Sequence, residues 1–204
     1  MALDIKPTRS ELIKLKNKIK LAKSGHNLLK KKRDGLILDF FEILKKAKTL
    51  RQELIDEYKK AISKMNIARA VEGDVKLKSL AMAVSQNPEI TLQTKNIMGV
   101  VVPKIESSGI QSDSEDRGYG LYEGSSLVDE AAEAYEKVVE KIILAAEIET
   151  SMKKLLNEIE KTKRRVNALE FAVIPQMEET AGFIRLRLEE MERENIFRLK
   201  RIKA

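Results

Sequence analysis

Two long stretches of this chain carry apolar residues at alternating intervals of three and four, and helix-breaking residues are almost absent from them. Pro is missing between Pro7 and Pro88, and from Ser125 onward only Pro175 and Gly182 interrupt the chain. Alternating three-four spacing is the heptad pattern of a helix that packs along one narrow seam. We therefore predict two long helices, each of which needs a partner helix to cover its seam.

The seam positions can be assigned by following this spacing. In the first stretch they include Leu15, Ile19, Leu29, Leu36, Phe40, Leu50, Leu54 and Tyr58, with His26 and Arg33 at two polar steps. In the second they include Val138, Ile142, Met152, Leu155, Ile159, Thr162, Val166, Leu169, Ile184 and Leu188. The step of four from Leu54 to Tyr58 is a stutter, which locally relaxes left-handed supercoiling.

Capping signals place the helix ends. Thr8 and Glu11 form a capping-box pattern at the start of the first helix, and Gly73 is suited to end it. Ser126 begins the second helix. Pro175 removes one backbone hydrogen bond and is expected to kink this helix without ending it, because the seam keeps its phase on both sides.

Length then indicates the architecture. Helices over 8–72 and 126–202 would be about 97 Å and about 115 Å long, whereas a compact globule of this size has a radius of gyration of about 17 Å. We predict a mainly α fold in which the N- and C-terminal segments form a long antiparallel two-helix coiled coil. Residues 73–125 form a small middle domain between them.

The middle domain has its own pattern. Leu77 to Val84 predicts a short helix, and Ile90 to Met98 with Val100 to Val102 predicts a β-hairpin whose second strand ends at Pro103. Ser107 to Ser126 is rich in Gly, Ser and acidic residues, which is typical of a loop.

Charge is concentrated at the two chain ends. Residues 1–35 hold eleven Lys/Arg and three Asp/Glu, and residues 185–204 hold seven and four, whereas the whole chain carries +7. An antiparallel hairpin brings both ends to one basic tip. The second helix overhangs the first by about 12 residues, roughly 18 Å, and exposes apolar residues from Ile196 to Ile202. We infer that another protein grips this tip.

The composition excludes several kinds of site. There is no Cys and only one His, His26, so thiolate chemistry and paired imidazole sites are absent, and His26 is best interpreted as a polar residue that sets helix register. No G-x-x-x-x-G-K-[ST] loop is present, so we expect no nucleotide binding, no metal and no cofactor. Asp113, Glu115 and Asp116 are interpreted as a solvated acidic loop. The first residues lack a signal-peptide pattern and no stretch is apolar enough to span a membrane.

Several segments resemble the D subunit, the central rotor stalk of the archaeal and bacterial V/A-type rotary ATPases. The matching segments are Pro7–Arg9, Leu28–Asp34, Asn96–Gly99 with Val102–Pro103, Thr162–Glu170 with Val173–Pro175, Glu192–Glu194 and Phe197–Lys203. The run Arg-Arg-Val-Asn-Ala-Leu-Glu within them is long enough to be specific. The chain ends at Ala204, whereas some relatives carry a polar C-terminal extension.

The resemblance implies a non-catalytic rotor shaft that couples H⁺ or Na⁺ transport to ATP synthesis or hydrolysis. The tip would insert into the hexamer of catalytic and non-catalytic subunits, and the F subunit of the stalk and a ring-capping funnel subunit would bind the lower part. Membrane attachment would come only through the complex, at the cytoplasmic face. The tip residues expected to contact the hexamer are Arg9, Lys14, Lys18, Arg185, Arg187, Ile196, Phe197, Arg198, Leu199 and Arg201.

Two other classes of function fit parts of the pattern. A helical-hairpin chaperone or tether, like prefoldin in outline, would hold clients at its open tips. A basic coiled-coil arm would bind nucleic acid through Lys30–Arg33 and Lys161–Arg165, but no aromatic residues are interleaved there for base stacking. Salt-dependent retention on nucleic acid and co-purification with ATPase subunits distinguish these alternatives from a rotor shaft.

Overall fold

The computed structural model describes residues 6–84, 89–110, 117 and 125–203. The chain divides into two compact units. The terminal unit comprises Met1–Ile37 and Glu158–Ala204, and the central unit comprises Leu38–Asn157. Helix α1 (Arg9–Glu72) and helix α3 (Ser126–Ala168) contribute residues to both.

The ends of α1 follow from local chemistry. The Thr8 hydroxyl accepts a hydrogen bond from the Glu11 backbone N–H at 3.3 Å, which satisfies one of the free donors of the first turn. At the other end Gly73 has a φ of 82°, and its N–H donates to the Arg69 carbonyl at 3.0 Å. Helix α1 thus begins directly after Thr8 and ends at Glu72, and α3 begins at Ser126.

Helix α2 (Asp74–Ala83) follows directly after Gly73, so the predicted short helix is present. Leu80 of α2 is buried with Ala68 of α1 and Val128 of α3, and Leu77 and Leu127 pack around them. This cluster holds the three helices together at one end of the central unit. The prediction that this helix includes Val84 is wrong, because α2 ends at Ala83 and the backbone of Val84 is extended.

Strands β1 (Glu89–Ile97) and β2 (Val100–Ser108) form an antiparallel hairpin. Met98 and Gly99 both have positive φ, at 47° and 85°, as a type I′ turn requires. The Gly99 N–H donates to the Asn96 side-chain oxygen at 2.8 Å, which closes the turn.

The prediction that Pro103 ends the second strand is wrong, because β2 continues to Ser108. Ile97 and Val100 are the pair that closes the turn, and hydrogen-bonded and non-hydrogen-bonded pairs alternate from there. Thr94–Pro103 is therefore a non-hydrogen-bonded pair, in which no N–H is needed. The predicted Ser107–Ser126 loop lies mostly outside the described residues, and its first two residues belong to β2.

In the terminal unit, a π-helical turn (Leu169–Val173) joins α3 to helix α4 (Ile174–Lys203). The Ile174 N–H donates to the Leu169 carbonyl, five residues back. Pro175 has no N–H and its ring crowds the carbonyl four residues earlier, so the wider turn accommodates it. The prediction that Pro175 does not end the helix is confirmed, and the π turn is the form that the interruption takes.

Ion pairs show antiparallel packing within the terminal unit. Arg9 near the start of α1 pairs with Glu192 of α4, and Lys23, further along α1, pairs with Glu178 at 2.7 Å. As the residue number rises on α1 it falls on α4.

The central unit shows the same direction between α1 and α3. Arg51 lies 3.7 Å from Glu149, and Lys64 lies 3.5 Å from Glu130. The mainly α fold class, with two long helical segments around a small hairpin, is confirmed.

Burial along the helices follows the predicted seam for most of its length. Leu36, Leu155 and Ile184 have no exposed surface, and Leu15, Thr162 and Val166 are also buried. The remaining predicted seam residues of this group are half-buried, namely Ile19, Leu29, Phe40, Leu50, Met152, Ile159, Leu169 and Leu188.

At one level of the central unit the predicted seam is wrong. Tyr58 and Ile142 are each 47% exposed. Glu57 and Lys141 turn inward instead and form an ion pair. Their attraction, together with the burial of Ile143 on another face of α3, selects this helix rotation over the one that the apolar spacing favoured.

Candidate functional site

The candidate sites among the described residues are exposed surfaces that could bind partners. No group of three or more metal-ligating side chains occurs among residues 6–84, 89–110, 117 and 125–203. In the same ranges no helix is long and apolar enough to cross a membrane. The predicted acidic loop at Asp113 to Asp116 lies outside the described residues. The surfaces that could bind partners are therefore the candidates.

The basic end of the terminal unit begins on α1. Arg9 is exposed and paired with Glu192, whereas Lys14 is exposed and bonded to Glu11 at 2.8 Å. This hydrogen bond from Lys14 lowers the pKa of the Glu11 carboxyl. Lys18 is also exposed. These cations are directed to solvent, where an acidic partner could reach them.

The predicted tip arginines of α4 are exposed but already bonded along the helix. Pairs three or four residues apart are Arg185–Glu189 at 3.0 Å, Arg187–Glu190 at 2.9 Å and Arg198–Glu194 at 3.8 Å. Arg201 is exposed as well. Exposed pairs of this kind contribute about 0.3–0.5 kcal/mol each, so a partner can replace them at little cost.

The C-terminal end of α4 extends past its last ion pair with α1. Every residue from 192 to 203 is exposed. The large apolar side chains there are Ile196 (54% exposed), Phe197 (68%), Leu199 (64%) and Ile202 (81%). Such a run of apolar surface makes this helix end a candidate protein-binding surface.

Sequence reasoning missed a second set of exposed apolar residues on the terminal unit. These residues lie outside the heptad seam, and each has a large apolar side chain that is more than half exposed. They are Ile13, Leu21, Leu28, Phe171, Phe183 and Leu186. In the sequence, these residues could have been recognised as large apolar residues that lie outside the heptad pattern on otherwise charged helices.

The central unit contains a polar bridge between its two long helices. Lys141 Nζ lies 3.0 Å from Glu53 Oε2 and 2.7 Å from Glu57 Oε1, and the Lys141 side chain is only 24% exposed. Hydrogen bonds to Glu57 and Glu53 raise the pKa of Lys141. The Lys141 ammonium therefore stays charged across the neutral range.

A second polar cluster fixes Arg117 against α3. Its side chain is 5% exposed, and its guanidinium lies 3.2 Å from Asp129 and 3.1 Å from Glu136. A buried guanidinium is satisfied only when its donors are paired, so this position is tightly specified. Nothing in the local sequence distinguished Arg117 from the other cations.

The β-hairpin rests on α3 through its second strand. The Ile105 N–H donates to the Glu147 carboxylate at 2.9 Å, and Val100 and Val102 are buried. On the opposite face Ile90 and Leu92 are exposed by 53% and 73%. The hairpin therefore presents an apolar face outward while it is anchored on the other.

An apolar groove of about 240 Å³ lies between α1, α2 and α3 of the central unit. Its lining includes Met65, Leu77, Val84, Ala132 and Tyr135. Because its lining is apolar, such a groove suits apolar side chains of a partner.

The chain is similar to known proteins over nearly its whole length. A family model described as the D subunit of ATP synthase matches residues 11–204. A protein named as the D subunit of the A-type ATP synthase of Methanococcoides burtonii is 65% identical over 202 residues, covering 99% of this chain and 98% of its own length. Proteins of the same name from Methanosarcina acetivorans and Halorubrum lacusprofundi are 62% and 54% identical, and cover 98% and 100% of this chain and 96% and 90% of their own lengths.

Proposed function

The chain belongs to the D-subunit family of ATP synthases, a component of the central stalk, and on that premise we propose that it transmits torque as the rotor shaft of an A-type ATP synthase. In this role it links a membrane ring, driven by H⁺ or Na⁺, to the subunits that make or hydrolyse ATP. The supporting observation is that antiparallel helix pairs with buried seams build both compact units.

A helix pair suits this work for a mechanical reason. Two helices joined along a packed seam resist bending and twisting more than one helix does, because deformation must also break side-chain packing. Leu36, Leu155 and Ile184 lack any exposed surface, so slipping at these levels would open cavities. Torque applied to such a pair is carried by both helices together.

We propose that the basic end of the terminal unit binds inside the hexamer of catalytic and non-catalytic subunits. The exposed arginines of α4 would pair with acidic groups of the surrounding subunits, and Ile196, Phe197 and Leu199 would fill apolar sites there. Different faces of the shaft would meet each catalytic site in turn. Differences in contact energy then shift each site between tight, loose and open states.

The central unit is proposed to bind the F subunit of the stalk and the funnel-shaped subunit that caps the membrane ring. Its apolar groove and the outward face of the hairpin offer the surface that such contacts need. In this arrangement the chain performs no chemistry of its own, and nucleotide turnover belongs to the hexamer. Attachment to the cytoplasmic face of the membrane comes through the complex.

Neutralising the tip arginines tests this function. In the assembled complex in vesicles, replacing Arg185, Arg187, Arg198 and Arg201 with Gln should lower the number of ions pumped per ATP hydrolysed. The matched control replaces four exposed lysines of the central unit with Gln, namely Lys45, Lys46, Lys59 and Lys60. An unchanged ratio in the arginine variant, or the same loss in the control, would reject a specific role for the tip charges.

A further inference from the structure

The polar bridge in the central unit stands where the heptad pattern predicts apolar seam residues. Glu53 and Glu57 lie one turn apart on α1, and both bind the single ammonium of Lys141 on α3. Tyr58 and Ile142, which an ordinary seam would bury, are partly exposed at this level. From this geometry we propose that Lys141 is a positioning residue that fixes the axial register of α1 against α3 in the central unit.

A slip of one helical turn would break the bridge in part. Moving α1 by four residues one way would place Thr49 and Glu53 opposite Lys141, and moving it the other way would place Glu57 and Ala61 there. Either slip leaves Lys141 with one carboxylate instead of two. Apolar seam residues that meet other apolar residues after a slip keep part of their packing, so the loss of a carboxylate partner discriminates between registers more sharply than apolar packing alone.

A slip of seven residues keeps the apolar heptads in phase, so it is the register error that apolar packing tolerates best. In one direction it would bring Lys60 and Lys64 to face Lys141, and in the other Lys46 and Leu50. In both directions a Lys side chain then faces Lys141, so repulsion between like charges replaces the attraction to Glu53 and Glu57. The bridge therefore disfavours the seven-residue slips that apolar packing tolerates best.

Partial burial of the bridge raises the free-energy cost of breaking it. Glu57 Oε2 is buried and has no hydrogen-bond partner among the described residues, so the carboxylate depends on Lys141 for its pairing. Lys137 and Lys60, which lie about one turn from Lys141 and Glu57, are exposed. A displaced bridge would leave the partly buried Glu57 carboxylate, whose side chain is 32% exposed, without its cation, which costs more than losing a fully exposed ion pair.

Stability is a poor test, because replacing a buried ion pair with apolar residues is often neutral or stabilising. Register can be measured directly in the full chain, which contains no Cys. Spin labels at Lys45→Cys on α1 and Glu133→Cys on α3 occupy exposed positions of the central unit. The Arg51–Glu149 and Lys64–Glu130 pairs place these two positions well apart along the helix axes, so an axial slip changes their separation by most of its length. A one-turn slip shifts α1 by about 5.4 Å along its axis and a seven-residue slip by about 10.5 Å.

The parent should give one narrow distance, and Lys141→Met should give a broadened or split distribution with components displaced by about those amounts. Lys141→Arg keeps the charge and should stay narrow. The swap of Lys141→Glu with Glu53→Lys and Glu57→Lys should restore a single distance. Lys137→Met is the matched control, because it removes an exposed Lys one turn away.

A narrow, unshifted distance in Lys141→Met would overturn the proposal, as would equal broadening in Lys137→Met or failure of the charge swap to restore one distance. If Lys141→Met does not fold, Lys141→Gln and the charge swap provide the same comparison. In the assembled complex, and resting on the proposed function, Lys141→Met should also lower the ions pumped per ATP. Broadened distances with an unchanged ratio would overturn that consequence for coupling.

Discussion

The clearest prediction about stability compares two leucines on α1 that differ in burial. Leu36 has no exposed surface, whereas Leu38, two residues later, is 68% exposed. Changing either to Ala removes the same atoms and alters helix propensity by the same small amount, a few tenths of a kcal/mol at most. Any difference between the two variants therefore reports packing.

The magnitude follows from burial. Full burial of a Leu side chain is worth about 1.5–3 kcal/mol, and the cavity left by Leu→Ala adds about 1–2 kcal/mol when the surroundings do not collapse. Leu36→Ala should therefore lower the free energy of unfolding by about 3 kcal/mol. Leu38, with only about a third of its surface buried and no cavity to leave, should lose about 0.5–1 kcal/mol.

Urea unfolding followed by far-ultraviolet circular dichroism measures both values on the same protein. For a chain of this length, 3 kcal/mol corresponds to a decrease in Tm of about 6–12 °C. The control is that the urea dependence of the unfolding free energy stays the same in both variants, which shows that the unfolded state is unchanged. Losses within about 0.5 kcal/mol of one another would refute the assignment of Leu36 to a packed seam.

Three further outcomes are expected, two at the junction between α1 and α2 and one inside α1. The hydrogen bond from Lys76 lowers the pKa of Glu72 below its ordinary value of 4.5. The folded state thus binds this proton less tightly than the unfolded state, so its stabilising contribution is present above pH 4.5 and is lost as the pH falls through the lowered pKa. Glu72→Gln should flatten this part of a Tm-against-pH curve, and an unaltered curve would contradict the assignment. Gly73→Ala should destabilise by about 1–2 kcal/mol, because its φ of 82° suits only Gly, whereas Gly25→Ala in the helix interior should stabilise by about 0.5–1 kcal/mol, because nothing lies within 4 Å of the added Cβ. Urea unfolding checks the signs, and equal signs would show that backbone conformation is not the cause.

Much of the candidate site could be predicted from the sequence, because the exposure of its residues depends on which face of a helix they occupy. A heptad pattern states which side chains share a face, so the exposed Ile196, Phe197 and Leu199 follow from their lack of a facing helix. The partners of the tip arginines were harder to foresee. Arg185 could bond along its own helix or across to another, and only the structure shows the bond to Glu189.

The off-seam apolar residues, among them Phe171 and Phe183, show a different gap. An isolated apolar residue on a polar helix face carries little information, because a large share of any protein surface is apolar. Their exposure becomes informative only when the neighbouring elements are placed and nothing covers them among the described residues.

The amino-acid sequence by itself determined the helical class, the ends of α1 and the start of α3, since these depend on residues within a few positions of one another. Thr8 caps a turn that it belongs to, and Gly73 ends a helix through its own backbone freedom. The tertiary structure alone decided the inward rotation of Glu57 and Lys141, the pairing of Arg117 with Asp129 and Glu136, and the accommodation of Pro175. Each of these is a competition between local preference and contacts, or between alternative backbone geometries. The outcome of each competition depends on interatomic distances in three dimensions, which the spacing of residues along the sequence does not specify.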